Sequence, residues 1–226
     1  MAKKKDFKQE DAQLESVNEA LSTTGQWIER NSNLLTWVVT VVVVAVLGII
    51  ALYTYVILPK GKAASEENAK AVVYFANGEW ETALNGDNAE CIGFEAIAQE
   101  YSLYQQGELA ALYAGICHYQ LGHYEEAANY LKKFSANDLV IDPATKMLLG
   151  DAYVQMDEMN KAADCFKAAA ASKNDIIAPI ALKKAGNVYM SIGNKTAAHK
   201  VFVTIKDEYP KSSEASDIDK YIALTE

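Results

Sequence analysis

Hydrophobic positions follow two different patterns along this chain, and the change between them divides it. Residues 34–58, "LLTWVVTVVVVAVLGIIALYTYVIL", run apolar over 25 positions without a charge. Coiled as a helix this stretch is roughly 37 Å long, enough to cross a hydrocarbon core of about 30 Å with some tilt. The valine run would suit a strand in water, but a lone strand in lipid leaves its backbone donors unpaired, so the segment is predicted to be helical. Trp37 near one end and Tyr53 and Tyr55 near the other match the aromatic belts of membrane interfaces. A cleaved leader fits less well, since 33 residues precede the run and its apolar core is longer than a leader needs. Pro59 is expected to end the helix.

Beyond residue 59 the pattern becomes periodic at helical spacing and then repeats. "AGICHYQLGHYEEAANYL" (114–131), "LGDAYVQMDEMNKAADCF" (149–166) and "AGNVYMSIGNKTAAHKVF" (185–202) align without gaps. Gly115, Gly150 and Gly186 are 35 and 36 residues apart, and Ala127, Ala162 and Ala198 keep the same separations, as do Leu131, Phe166 and Phe202. An earlier copy survives as "AVVYFANGEWETAL" (71–84), with Gly78, Trp80 and Ala83 matching Gly122, Tyr124 and Ala127. Its extra distance from the next copy falls in an insertion near 85–107. Each copy predicts two helices. In the first, Gly115 lets a neighbouring helix approach closely, and in the second, Ala127 sits where the pair crosses, with Leu131 and Phe134 on the buried side. Neither helix hides its apolar stripe alone, so successive hairpins must stack.

This pattern resembles the tetratricopeptide repeat, whose period is about 34 residues. "EYP", ending at Pro210, stands where that repeat commonly closes its second helix. Three positions depart from the pattern: Met159 replaces the usual aromatic, Asp157 the turn glycine, and His118 a common tyrosine. The resulting expectation is an all-α chain. Residues 1–33 form a partly helical N-terminal tail, weakly amphipathic through Val17, Leu21, Trp27 and Ile28. Residues 34–58 form the transmembrane helix and 59–211 a solenoid of about four helix hairpins. Residues 212–226 form a capping helix with Ser213 as its N-cap.

Charge narrows the function. Residues 59–226 hold 16 basic and 24 acidic side chains, a net of −8. An acidic array without a basic stripe does not suit nucleic acid, whose phosphates demand lysine and arginine. The tail carries Lys3, Lys4, Lys5, Lys8 and Arg30, which leans toward a cytoplasmic N-terminus, although Lys60, Lys62 and Lys70 outnumber Arg30 close to the span.

Candidate chemistry is sparse. Cys117 and His118 are adjacent on a helix, about 100° apart, so they do not converge on one ion, and His123 lies in the following turn. Cys91, Cys117 and Cys165 show no CxxC spacing, leaving their redox state open, while Cys117 and Cys165 fall on buried repeat positions. His199 stands alone and is expected on a surface. "GNKTAAHK" lacks the glycine-rich loop of a phosphate site, and no hydrolase or dinucleotide fingerprint occurs. The sequence therefore predicts no catalytic, metal or cofactor residues and no small-molecule substrate.

What remains is a surface. In the repeat family the inner face is built from first helices, and the resemblance places Val72, Phe75, Leu112, Ile116, Tyr119, Met147, Val154 and Met190 there as a partner-binding groove. It is more apolar than a clamp for a charged peptide terminus, and methionine and aromatic side chains adapt to varied apolar segments. One N-terminal anchor before a small acidic array, with "GFEAIAQEY" and "LAALYAG" (93–115) and "YLKKF" (130–134), resembles the ancillary subunit family of the Sec translocon. The resemblance implies an inner-membrane protein with a cytoplasmic N-terminus and a periplasmic C-terminal domain. Its implied partners are the translocon, a periplasmic chaperone or peptidyl-prolyl isomerase-like protein, and emerging polypeptides. Two other readings remain open: a structural scaffold for cell-envelope or outer-membrane assembly, and a cytoplasm-facing adaptor.

Overall fold

The computed structural model describes residue 27 and residues 29–87, 89–136 and 138–226. The expected tail helix around Val17, Leu21 and Ile28 lies outside the described residues. The chain divides into two compact units, the first ending at Pro59 and the second running from Lys60 to Glu226. Among the described residues every regular element is helical.

The first unit contains α1 (Ser32–Leu52), which buries none of its side chains. Thr36 Oγ1 donates to the Ser32 carbonyl at 2.8 Å and Thr40 Oγ1 to the Thr36 carbonyl at 2.7 Å. Both hydroxyls are thus satisfied by their own helix. This helix is long and apolar enough to cross a membrane. A π-helical turn, Tyr53–Ile57, follows, and then α2 (Leu58–Ala76). Pro59 does not end the helix. The Leu58 amide reaches back five residues to the Tyr53 carbonyl. That wider turn, immediately before the ring, makes room where a regular turn would clash.

In the second unit α2 pairs with α3 (Trp80–Asn85), α5 (Gln105–Gln120) with α6 (Tyr124–Leu131), α7 (Ile141–Gln155) with α8 (Met159–Ala170), and α9 (Ile177–Ser191) with α10 (Lys195–Glu208). All four turns are built alike. The amides of Glu79, His123, Glu158 and Asn194 each bond the carbonyl five residues back, on Tyr74, His118, Tyr153 and Tyr189, at 2.8–3.0 Å. This is the six-to-one bond of a Schellman stop, and it needs a left-handed residue. Gly78, Gly122 and Gly193 supply it at φ 75–80°, and Asp157 is held there at φ 58°.

The aligned glycines mark a clasp. A Cβ on Gly115 would stand 2.7 Å from Leu131 Cγ, one on Gly150 2.6 Å from Phe166 Cε1, and one on Gly186 2.2 Å from Phe202 Cε1. Each hairpin therefore closes by seating one large side chain of its second helix against bare backbone on its first. Leu131, Phe166 and Phe202 are all within the buried core.

The insertion folds as part of the first hairpin. A loop, residues 86–92, interrupts its second helix, which resumes as α4 (Gly93–Glu100) and buries Phe94 and Ile97. Asp87 organises that loop: Oδ1 accepts from the amides of Ala89, Glu90 and Cys91, each at 2.9 Å, and Oδ2 from the Tyr74 hydroxyl at 2.8 Å. The Cys91 amide leads the donors that hold this carboxyl well below the usual range. The chain ends in a 3₁₀ turn (Ser213–Asp217) and α11 (Ile218–Ala223). Its cap is Ser212 rather than Ser213, because the Ser212 hydroxyl accepts from the Ala215 amide at 3.2 Å. Ile218 seals the last core cluster against Phe202 and Ile205.

Candidate partner-binding groove

The first helices α5, α7 and α9 lie side by side, with α7 touching both neighbours. Their clasp sides carry glycine and alanine, which pushes the larger apolar side chains to other faces. Tyr119, Met147 and Val154 gather, half-exposed, around one core cluster, and Met190 borders the next together with Met147. Ile116 is half-exposed on the same run of first helices. Tyr119 stands edge-on to Tyr124 at 5.5 Å, and burial, then the Asp151 carboxylate, push its hydroxyl up from its ordinary pKa.

The other groove positions are more committed to the core. Val72 and Phe75 pack on the first cluster. Phe75 meets Tyr113 on α5 at 4.9 Å, Trp80 on α3 at 5.1 Å and Phe94 of the insertion at 6.1 Å, so its ring is held by three neighbouring helices. Leu112 is buried and offers little surface. Asn68, on the same helix as Val72, is also buried, donating from Nδ2 to the Gln106 carbonyl at 2.9 Å.

One ion pair joins two first helices, and a second joins α9 to the cap. Lys184 Nζ on α9 meets both carboxylate oxygens of Asp151 on α7, at 2.6 and 2.7 Å, and Lys183 Nζ meets Asp217 Oδ1 of the cap at 2.6 Å. All four groups are partly solvated, so each pair stabilises modestly. The sequence offered a signal in the 33-residue spacing of Asp151 and Lys184, close to one repeat.

The histidines and cysteines make no reactive centre. Cys117 is fully buried, and burial pushes its thiol up to about 12, the opposite of an activated nucleophile. All three cysteines are free thiols. His118 is buried with Nε2 at 2.9 Å from Glu95 Oε1, and its ring stacks on Tyr130 at 5.2 Å. It thus fixes α5 to the insertion, a role its sequence position gave no hint of. His118 and His123 border a cavity of about 330 Å³ with Glu81 and Glu95, yet no group of three or more ligands that could hold a metal ion occurs among the described residues. His199 is half-buried rather than free on a surface, because its Nδ1 lies 3.0 Å from Thr225 Oγ1 on the C-terminal segment.

Residues 101–138 and residues 144–175 match the tetratricopeptide repeat family. These two matches cover the hairpins α5–α6 and α7–α8 and identify the array as a protein-interaction module, of a kind that is typically a non-enzymatic scaffold. Comparison with curated proteins finds no match to this chain.

Proposed function

We propose that this chain is a membrane-anchored docking protein whose first-helix face receives apolar stretches of polypeptide. In this reading it is an ancillary component of the Sec translocon that hands emerging chains to periplasmic chaperones or a peptidyl-prolyl isomerase-like partner. The observation that carries the reading is the uncharged strip of Ile116, Tyr119, Met147, Val154 and Met190, half-exposed on adjacent first helices of a chain that also owns a span-length apolar helix. A strip of this kind binds weakly and without strict sequence preference, because methionine repacks readily and tyrosine presents a rigid amphipathic face. Anchoring offsets weak affinity: two sites on one short tether meet at an effective concentration in the millimolar range. In this reading the N-terminus lies in the cytoplasm and the array in the periplasm.

The test is site-specific photocrosslinking in intact cells with the full chain. Probes at Tyr119, Val154 and Met190 are expected to capture nascent polypeptide and translocon subunits, and Tyr119→Glu with Val154→Glu should abolish capture. Unchanged capture in that double variant refutes the groove, while a C-terminal alkaline phosphatase fusion that stays inactive refutes the topology.

A further inference from the structure

A second surface lies where the hairpins are joined to one another. The connections into α7 and α9 share a local design, "DLVIDP" (138–143) and "NDIIAP" (174–179). In the first, Asp138 Oδ1 accepts from the Val140 and Ile141 amides at 2.7 and 2.5 Å; in the second, Asn174 Oδ1 accepts from the Ile176 and Ile177 amides at 2.9 and 3.0 Å. Each helix start is thereby fixed, and the aliphatic side chains beside the cap are held outward. Leu139 is 65% exposed, Val140 57% and Ile176 74%. The two connections are tied together, since Asn174 Nδ2 donates to the Leu139 carbonyl at 3.0 Å. The result is a rigid aliphatic ridge in a part of the fold where loops are usually polar and mobile.

Acidic groups border it. Asp175, next to Ile176, lines a cavity of about 370 Å³ with Glu208, Tyr209, Pro210, Lys211 and Ser212. Asp175 and Glu208 are exposed and enter no ion pair among the described residues, and Lys211 is the single cation in that lining. This charge decides between occupants. A second copy meeting edge to edge would bring carboxylates against carboxylates, and an anionic bilayer surface would repel them. A polypeptide with aliphatic residues interspersed with lysine or arginine meets both requirements.

We infer that the edge formed by Leu139, Val140 and Ile176, with the Asp175–Glu208 cavity, is a docking site for a basic, aliphatic polypeptide segment. It is distinct from the first-helix strip and stands whether or not the proposed function does. The ridge takes the aliphatic side chains, and the cavity takes an ammonium or guanidinium group. The aromatic Tyr209 in the cavity wall suits a cation as well.

The experiment uses the full chain in nanodiscs of zwitterionic lipid, with empty nanodiscs as the blank. Fluorescence anisotropy follows a short labelled peptide in which leucine and valine alternate with lysine, and a counterpart in which glutamate replaces lysine. The lysine peptide is expected to bind and the glutamate peptide to bind at least about tenfold more weakly, as one unmatched charge contact implies. Leu139→Asp with Ile176→Asp should weaken the lysine peptide by a similar factor. Asp175→Lys with Glu208→Lys, both at exposed positions, should reverse the preference. Tyr119→Glu with Val154→Glu should leave it unchanged. Circular dichroism confirms that each variant is folded. Equal binding of both peptides, or loss of binding only in the Tyr119 and Val154 variant, overturns the assignment. So does sedimentation showing dimers that Ile176→Asp dissolves, or binding to anionic vesicles that depends on Ile176.

Discussion

Replacing Gly150 by alanine tests the packing logic of the array directly. The added Cβ would stand 2.6 Å from Phe166 Cε1, 2.8 Å from Cδ1 and 2.9 Å from Cζ. Carbon atoms in contact prefer about 3.5–4.0 Å. Phe166 cannot retreat cheaply, because its side chain is fully enclosed. Forcing a methyl group into such a site costs about 1–3 kcal/mol. Against this, alanine improves on glycine inside a helix by about 0.5–1 kcal/mol. The clash therefore wins, and Gly150→Ala is expected to destabilise the array by about 1–2 kcal/mol. The assay is urea unfolding of the full chain in mild detergent, followed by circular dichroism. Phe166→Leu alone loses ring packing, yet combined with Gly150→Ala it should recover at least about 1 kcal/mol of the expected sum, the signature of direct coupling. Gly61→Ala is the internal control. It is also helical, but its Cβ would meet Gln106 side-chain atoms at 3.7 Å, an ordinary contact, so this variant should be slightly more stable than the parent. If Gly150→Ala matches or exceeds the parent, or if Phe166→Leu gives no rescue, the clasp does not hold the hairpin together.

Three further outcomes follow from the same geometry. Asp157 is forced to φ 58° in a turn that its counterparts fill with glycine, so Asp157→Gly should raise stability by about 0.5–1 kcal/mol in the same unfolding assay. Asp87 has its carboxyl held low, led by the Cys91 amide, so its contribution is complete above about pH 4 and is lost as the pH falls below that. Asp87→Asn should therefore flatten the fall of the urea midpoint over that acid range, and parallel curves for parent and variant would contradict it. Near neutral pH, maleimide should modify half-buried Cys165 before Cys91 or Cys117, and Cys117 only on unfolding, since burial both encloses its thiol and pushes it up to about 12. Mass spectrometry of timed samples reads the order, and native labelling of Cys117 as fast as Cys165 would refute it.

The sequence carried the periodic part of the fold and hid the local exceptions to it. Gly115, Gly150 and Gly186 stand out in the alignment because a missing side chain is visible in text. Leu131, Phe166 and Phe202 also stand out, 16 residues later in each copy, although that these pairs touch emerges only from the packing. Asp87 was not legible. It replaces helical hydrogen bonds with a carboxylate that gathers three amides, and nothing in the residue pattern distinguishes it from a solvated aspartate. Pro59 misled for a related reason: a proline ordinarily breaks a helix, and the π-turn that accommodates it has no compositional mark. Which first-helix side chains reach the surface was legible only to within about one helical position. At 100° per residue, one step separates a half-exposed side chain such as Ile116 from an enclosed one such as Cys117. Nothing in the sequence marks the aliphatic connections before α7 and α9 as exposed, because apolar side chains in sequence do not reveal which way a capped turn will aim them.

An asymmetry of side-chain size links the fold to its surfaces. Hairpins that close by placing glycine and alanine on the first helix under leucine or phenylalanine of the second spend their largest side chains on the second helix. The first helix then has small residues under the clasp, and Ile116, Tyr119, Met147, Val154 and Met190 stand on its flank, where they are only partly covered. Ordinarily such residues would be drawn inward, since enclosing one fully is worth about 1.5–3 kcal/mol. In the proposed function, a bound polypeptide supplies the cover that the array itself does not. Enlarging the clasp residue on the first helix, as in Gly150→Ala, should therefore loosen the hairpin and also shift the neighbouring Val154 and Met147. A variant that keeps stability through Phe166→Leu but changes partner capture at Val154 would show that packing and docking are coupled through this one glycine. If capture stays at the parent level once stability is restored, the strip is held by its own helix, independent of the clasp.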